Sequence, residues 1–239
     1  MSYNDGKQPK KSFADIIDNA SNDHLSRLTC SMVPTFDYWR SLSNKVLTDI
    51  MKSTCNICFE YPVESIPRGK NSFTDVMLIS DDTVVAVESK WTESTSVYCK
   101  DHTSTRRIEL MNHWLDMIKP FTETNLSVID LDDIEYQLLH RTASACSLNK
   151  ANTNVVYQLF YEGNLNLAFH YEILKLKNLL SPTTINFYIN TVEITPNSFH
   201  NALSSRILNL SLEDKAKEIK KALKQYPLFT FKKETINKI

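Results

Sequence analysis

Asp75, Glu88 and Lys90 are the residues of this chain whose types and spacing best suit chemistry. They lie in FTDVMLISDDTVVAVESKW, from Phe73 to Trp91. Two apolar, β-branched runs flank Asp81 and Asp82, which reads as a β-hairpin with a tight turn. If those two aspartates form the loop, Ser80 pairs with Thr83. The ladder then runs back through Ile79–Val84 and Met77–Ala86 to Asp75–Glu88. Directly opposed residues hold their Cβ atoms about 4.5–5.5 Å apart. Lys90, two residues beyond Glu88, points to the same side. Two like charges at that distance, beside buried Val and Met, are expensive unless a cation compensates them. A divalent metal ion with Lys90 beside it meets that need. The alternative is a surface hairpin whose charges are merely solvated. Against it, Val85 and Val87 alternate with Val84 and Ala86, so both faces of the second strand are apolar and the strand is expected to be central.

The elements around the hairpin must hold it in place. Residues 1–11 read as a flexible polar tail. A short helix is expected within Ser12–Cys30, with Phe13, Ile16 and Ile17 inward. Pro34 is expected to break the chain, and helical spacing runs from about Asp37 to Ser53. Ile57–Val63 reads as a strand. Thr105–Lys119 and Tyr136–Cys146 read as helices, Val155–Tyr161 and Ile185–Ile194 as strands, and His170–Leu180 as a helix. Ser211–Lys224 is a helix opened by a Ser211–Asp214 cap, with an apolar stripe of Leu212, Ala216, Ile219 and Leu223. The expected fold class is α/β: a central mixed sheet flanked by helices, one domain over residues 1–239, with a helical C-terminal elaboration.

Composition narrows the classes. The 239 residues carry a net charge of −1, with 42% hydrophobic and 23% charged residues, ordinary for a globular chain. Only 3 glycines occur, too few for a phosphate-binding loop or a dinucleotide fingerprint. The 5 cysteines are an odd count, and the N-terminal stretch is polar and basic; both suggest reduced thiols and a cytoplasmic protein. No apolar run approaches the roughly 18 residues of a spanning helix.

The order helix, strand, strand with Asp75, strand with Glu88-Ser89-Lys90, then helix resembles the PD-(D/E)xK phosphodiesterase superfamily, which includes many restriction endonucleases. The resemblance covers about residues 37–119, with a further core strand expected later. It implies a restriction-endonuclease-like αβββαβ core and Mg²⁺- or Mn²⁺-dependent hydrolysis of phosphodiester bonds. Asp75, Glu88 and the Ser89 backbone carbonyl would hold the metal, with Glu60 as a candidate further ligand and Glu64 and Asp49 as weaker ones. Lys90 would position or deprotonate the attacking water. The family's proline before the aspartate is Thr74 here. The implied substrate is DNA, the setting restriction or anti-phage defence, and the partner a second copy of the chain or a defence-system protein. A nuclease for RNA or structured junctions, and a non-catalytic nucleic-acid-binding subunit, are the alternatives.

Other residues fit around that core. Arg68 and Lys70 in the loop before the hairpin, and Arg106 and Arg107 at the start of the next helix, could contact phosphates. Lys100 lies in the same region. Gln137 and Arg141 share one helical face and could reach substrate. Cys55, Cys58, Cys99 and His102 have the residue types of a structural zinc site, with small core hydrophobes as the competing account of the thiols.

Overall fold

A computed structural model describes residues 1–10, 12–65, 71–92 and 97–239. Its strands are β1 (Ser2–Asp5), β2 (Gln8–Lys10), β3 (Asn56–Val63), β4 (Ser72–Ile79), β5 (Thr83–Lys90), β6 (Asn152–Tyr161), β7 (Ile185–Pro196) and β8 (Phe229–Lys238). They form one mixed eight-stranded sheet in the order β2-β1-β3-β4-β5-β6-β7-β8. β3, β4 and β5 run as an antiparallel meander, and β6 and β7 then continue parallel to β5.

Every residue of β5 is buried, as its two-faced apolar pattern requires. Val85 and Val87 pack on one face of the sheet, with Ile57, Phe59, Val76, Leu78, Val156 and Phe160. That face is covered by α1 (Phe13–Asn19), α2 (Met32–Trp39), α6 (Ser198–Ile207) and α7 (Leu212–Gln225). Val84 and Ala86 pack on the other face, beneath α3 (Thr105–Ile118), α4 (Tyr136–Cys146) and α5 (Ala168–Leu180). The α/β class and the flanked mixed sheet are therefore as expected.

Four features depart from the sequence reading. The N-terminal stretch is not a tail: Ser2–Asp5 pairs parallel with β3, and β2 folds back on it through Gly6 and Lys7. Tyr3 packs edge-on against Phe13 and lies beside Phe59, which anchors an otherwise polar segment. Pro34 does not break the chain; it sits in the first turn of α2, where a missing N–H leaves no helical bond unmade. The helical spacing from Asp37 onward divides into α2 and a π-helical turn, Val46–Met51. Asn44 causes the division by capping the second piece, its Oδ1 accepting from Leu47 N at 3.0 Å.

The C-terminal elaboration is not wholly helical either. After α6 and α7 the chain ends in β8, an edge strand rich in lysine. Charged residues protect edges from pairing with other chains, and they also mask the strand's pattern. Asp37 ties its start to the core, Oδ2 accepting from Leu228 N at 2.8 Å and Phe229 N at 2.9 Å. Among the described residues no helix is long and apolar enough to cross a membrane.

Candidate functional site

The hairpin has the expected register. Ser80 N donates to Thr83 O at 2.9 Å, and the ladder runs from Ile79–Val84 to Val76–Val87. Asp75 and Glu88 are one step beyond its last pair. There the regular pairing gives way to a side-chain bond: Ser89 N donates to Asp75 Oδ2 at 2.8 Å. Lys90 Nζ lies 3.1 Å from Glu88 Oε1, so the lysine does share the glutamate's side.

α4 closes the cluster from above. Its residues from Leu138 to Cys146 are all buried, which sets the helix down on β5 and β6. Gln137 Oε1 accepts from Lys90 Nζ at 2.5 Å. One turn further on, Arg141 Nε donates to Glu88 Oε2 at 2.6 Å, and its Nη2 bonds the same oxygen. Arg141 Nη1 donates to Phe73 O at 2.9 Å, and Nη2 lies 3.7 Å from Asp75 Oδ1. Among the described residues the cation that offsets the two carboxylates is thus Arg141, joined by Lys90. The i, i+4 spacing of Gln137 and Arg141 was the only sequence signal for it.

The electrostatics follow from this packing. Burial pushes the Asp75 carboxyl up, and the adjacent Glu88 charge pushes it further, against Arg141, Ser89 N and Lys90. Burial also acts to raise Glu88, but Arg141 and then Lys90 outweigh it and hold the group ionised. Arg141 and Glu88 keep 3% and 4% of their side chains exposed, whereas Asp75 keeps 21%. His140, the neighbour of Arg141, contacts Ser72 Oγ through Nε2 and stacks on Tyr136. Burial, reinforced by Arg141, pushes it down to about 3, so it is neutral at ordinary pH.

The back of the site is a buried polar relay with no counterpart in the sequence reading. Ser89 Oγ and Trp39 Nε1 both donate to Gln158 Oε1, at 3.3 and 3.2 Å. It ties the middle residue of Glu88-Ser89-Lys90 to α2 and β6 across the opposite face. A cavity of about 240 Å³ opens beside Lys90, with Trp91, Phe169 and Asn166 among its walls. A larger hollow of about 970 Å³ lies at the far end of the hairpin, by Asp81, Asp82 and Lys150, away from these groups.

Glu60 is not brought into the cluster. It sits opposite Asp75 in the strand order, but its φ of +46° interrupts the β3–β4 ladder between Phe59–Val76 and Tyr61–Thr74. Its carboxylate is turned to the α1–α2 connection. There Oε2 accepts from Ser21 N at 3.2 Å and Oε1 lies 2.5 Å from His24 Nδ1. That bond, above all, raises the His24 pKa, and the charge of Asp75 adds to it. Among the described residues no group of three or more His, Cys, Asp or Glu side chains forms a metal-binding set.

Arg106 and Arg107 are exposed in the first turn of α3. Arg107 lies 5.5 Å from the ring of Tyr136, the residue before Gln137, so it borders the site. Arg68 and Lys70 lie outside the described residues. The zinc alternative fails on placement: Cys55 and Cys58 are buried in different cores, on opposite faces of the sheet. Burial pushes both thiols up to about 11, the reverse of what metal ligation needs.

Fold and cluster together define an α/β protein with a buried Asp–Glu–Lys–Arg group at the end of its central hairpin. The chain belongs to the family described as a domain of unknown function, DUF6946, whose model matches residues 9–185. That span includes β3 to β6 and all of the cluster. Comparison with curated proteins and with solved structures gave no match.

Proposed function

We propose that the chain is a divalent-metal-dependent nuclease that hydrolyses phosphodiester bonds in DNA, built on a restriction-endonuclease-like core. The elements of that core would be the N-terminal helices, β3, β4, β5, the α3–α4 layer and β6. The observation that carries the reading is the meeting of Asp75, Glu88 and Lys90 at one end of the β4–β5 hairpin.

The donor set suits a hard divalent ion. Two carboxylates and the Ser89 carbonyl are oxygen donors. Among the described residues the cation recorded against Asp75 Oδ1 is Arg141 at 3.7 Å, beyond hydrogen-bonding distance, on a side chain that is still 21% exposed. Mg²⁺ or Mn²⁺ held there would lower the pKa of a bound water and offset charge on the scissile phosphate. Lys90, steered by Gln137 and Glu88, would orient the attacking water and stabilise the developing anion. Arg106 and Arg107 would track the backbone phosphates, and Arg68 and Lys70 belong to the same proposed set. Glu60 enters the metal set only by leaving His24 and Ser21. Restriction or anti-phage defence in the cytoplasm, as a two-fold dimer or beside a defence-system protein, is the proposed setting.

A second reading, a non-catalytic nucleic-acid-binding subunit, is favoured by one observation: Arg141 and Lys90 already match the charge of Asp75 and Glu88. One experiment separates the two. The wild type, Asp75→Ala and Lys90→Ala are incubated with plasmid, single-stranded DNA and RNA in Mg²⁺. The nuclease reading expects DNA cleavage by the wild type and its loss in both variants. Equal cleavage by all three, or binding without cleavage, would overturn it, and cleavage of RNA alone would move the substrate to RNA.

A further inference from the structure

Four charged side chains meet at the end of the hairpin: Asp75 and Glu88 against Arg141 and Lys90. Their formal charges cancel. The adjacent Glu60–His24 pair is matched within itself when the imidazole is protonated. Among the described residues, a divalent ion entering this group therefore meets no net negative charge from these four side chains, although it meets suitable oxygen donors. It also approaches a fixed guanidinium. Arg141 is anchored at three points: twice on Glu88 and once, through Nη1, on the Phe73 carbonyl at 2.9 Å. That carbonyl is main chain of the loop end of β4 and does not titrate or move aside like a second carboxylate. Arg141 is also only 3% exposed, so its field is little screened by water.

We propose that Arg141 is a positioning residue that makes metal loading depend on nucleic acid. It holds the carboxylates in place while keeping their affinity for a divalent ion low. A phosphodiester placed against the cluster supplies the missing negative charge, and only then does the ion bind tightly. Linkage requires the reverse as well: the ion tightens nucleic-acid binding by the same factor. The device confines a reactive metal–water to the state in which a substrate phosphate is present. It rests on the nuclease reading for the metal and the substrate, and on the observed charge balance for the coupling.

The test is a Mn²⁺ titration of the whole chain, read by the electron paramagnetic resonance of free Mn²⁺. It is run without DNA, with a hydrolysis-resistant phosphorothioate duplex, and with a duplex carrying neutral methylphosphonate linkages, subtracting binding to each DNA alone. For the wild type, the charged duplex is expected to tighten Mn²⁺ binding by about fivefold to a hundredfold, and the neutral duplex to have no effect. Arg141→Met is expected to bind Mn²⁺ about tenfold or more tightly without DNA, and Arg141→Lys to stay near the wild type. Wild-type affinity that is the same with and without the charged duplex overturns the proposal, and this arm needs no variant to fold. Folded Arg141→Met that binds Mn²⁺ no better than the wild type overturns it too. Failure of the nuclease reading looks different: no Mn²⁺ binding, in any arm, that Asp75→Asn removes.

Discussion

Arg141 and Glu88 form a buried ion pair across 53 residues of sequence, Nε donating to Oε2 at 2.6 Å, with both side chains almost fully out of water. The hairpin's two carboxylates need a cation, and α4 delivers one. Breaking such a pair from one side strands the other charge, which costs about 3–5 kcal/mol. Arg141→Met is therefore expected to lose about that much stability in urea unfolding. The double variant Glu88→Gln, Arg141→Met is expected to recover most of the loss, because neither charge is then stranded. Additive losses in the double variant would show that the two residues act independently.

Gln137 is a positioning residue for Lys90. Its Oε1 takes one ammonium hydrogen, and Glu88 Oε1 takes another, which fixes where the lysine points. Gln137→Leu keeps the helix and removes the bond. Stability should change by about 1 kcal/mol. Cleavage, on the nuclease reading, should fall about 10- to 100-fold, as when other partners that orient a site residue are removed. Cleavage at the wild-type rate would show that Lys90 needs no second partner.

Much of the fold was legible because burial imposes period. β5 is apolar at successive positions on both faces, and its central place in the sheet follows from that. The two-residue turn at Asp81 and Asp82 then set the register by counting alone. What stayed hidden was strands whose polar sequences carry no apolar pattern, although ladders hold them. β1 is polar and is fixed by Tyr3 and by its pairing with β3. β8 pairs along its length with β7, and its start is held by Asp37, from a helix 191 residues earlier in the chain. The site divided in the same way. Asp75, Glu88 and Lys90 sit within one hairpin, so local spacing reveals them. Arg141, Gln158 and Trp39 reach the site from three other elements; the helical spacing of Gln137 and Arg141 hinted at the first, and no local spacing encodes the other two. Glu60 has strand parity with the site, and a left-handed backbone angle turns it away.

His140 gives a pH dependence with a definite sign. Burial and the Arg141 charge hold it neutral in the folded chain, its pKa pushed down to about 3 from an ordinary 6.5. Between those values the unfolded chain binds a proton that the folded chain refuses. Stability must then rise with pH across that window, by up to about 1.4 kcal/mol per pH unit. Above 6.5 the effect is fully relieved. His140→Gln cannot take up the proton, so its melting temperature should fall less steeply between pH 6.5 and 4 than that of the wild type. Parallel melting curves for the two proteins over that range would rule out His140 as the source.

The N-terminal hairpin yields the last prediction. Gly6 has φ of +55° in the two-residue turn between β1 and β2, and its N–H donates to Phe59 O at 2.7 Å. A Cβ at this position would meet Pro62 Cδ at 3.1 Å, and an L side chain dislikes the backbone angle itself. Gly6→Ala should therefore cost about 1–2 kcal/mol, or roughly 2–8 °C in melting temperature for a chain of this size. Deleting residues 1–10 goes further. It strips β1 from β3 and leaves the outward edge of β3 unpaired, with Ile57 and Phe59 beside it. Unpaired edges of that kind recruit other strands. The truncated chain is expected to scatter light and elute as aggregate under conditions where the full chain does not. A truncated chain that stays monomeric, with an unchanged melting temperature, would show that β1 and β2 decorate the sheet without protecting it.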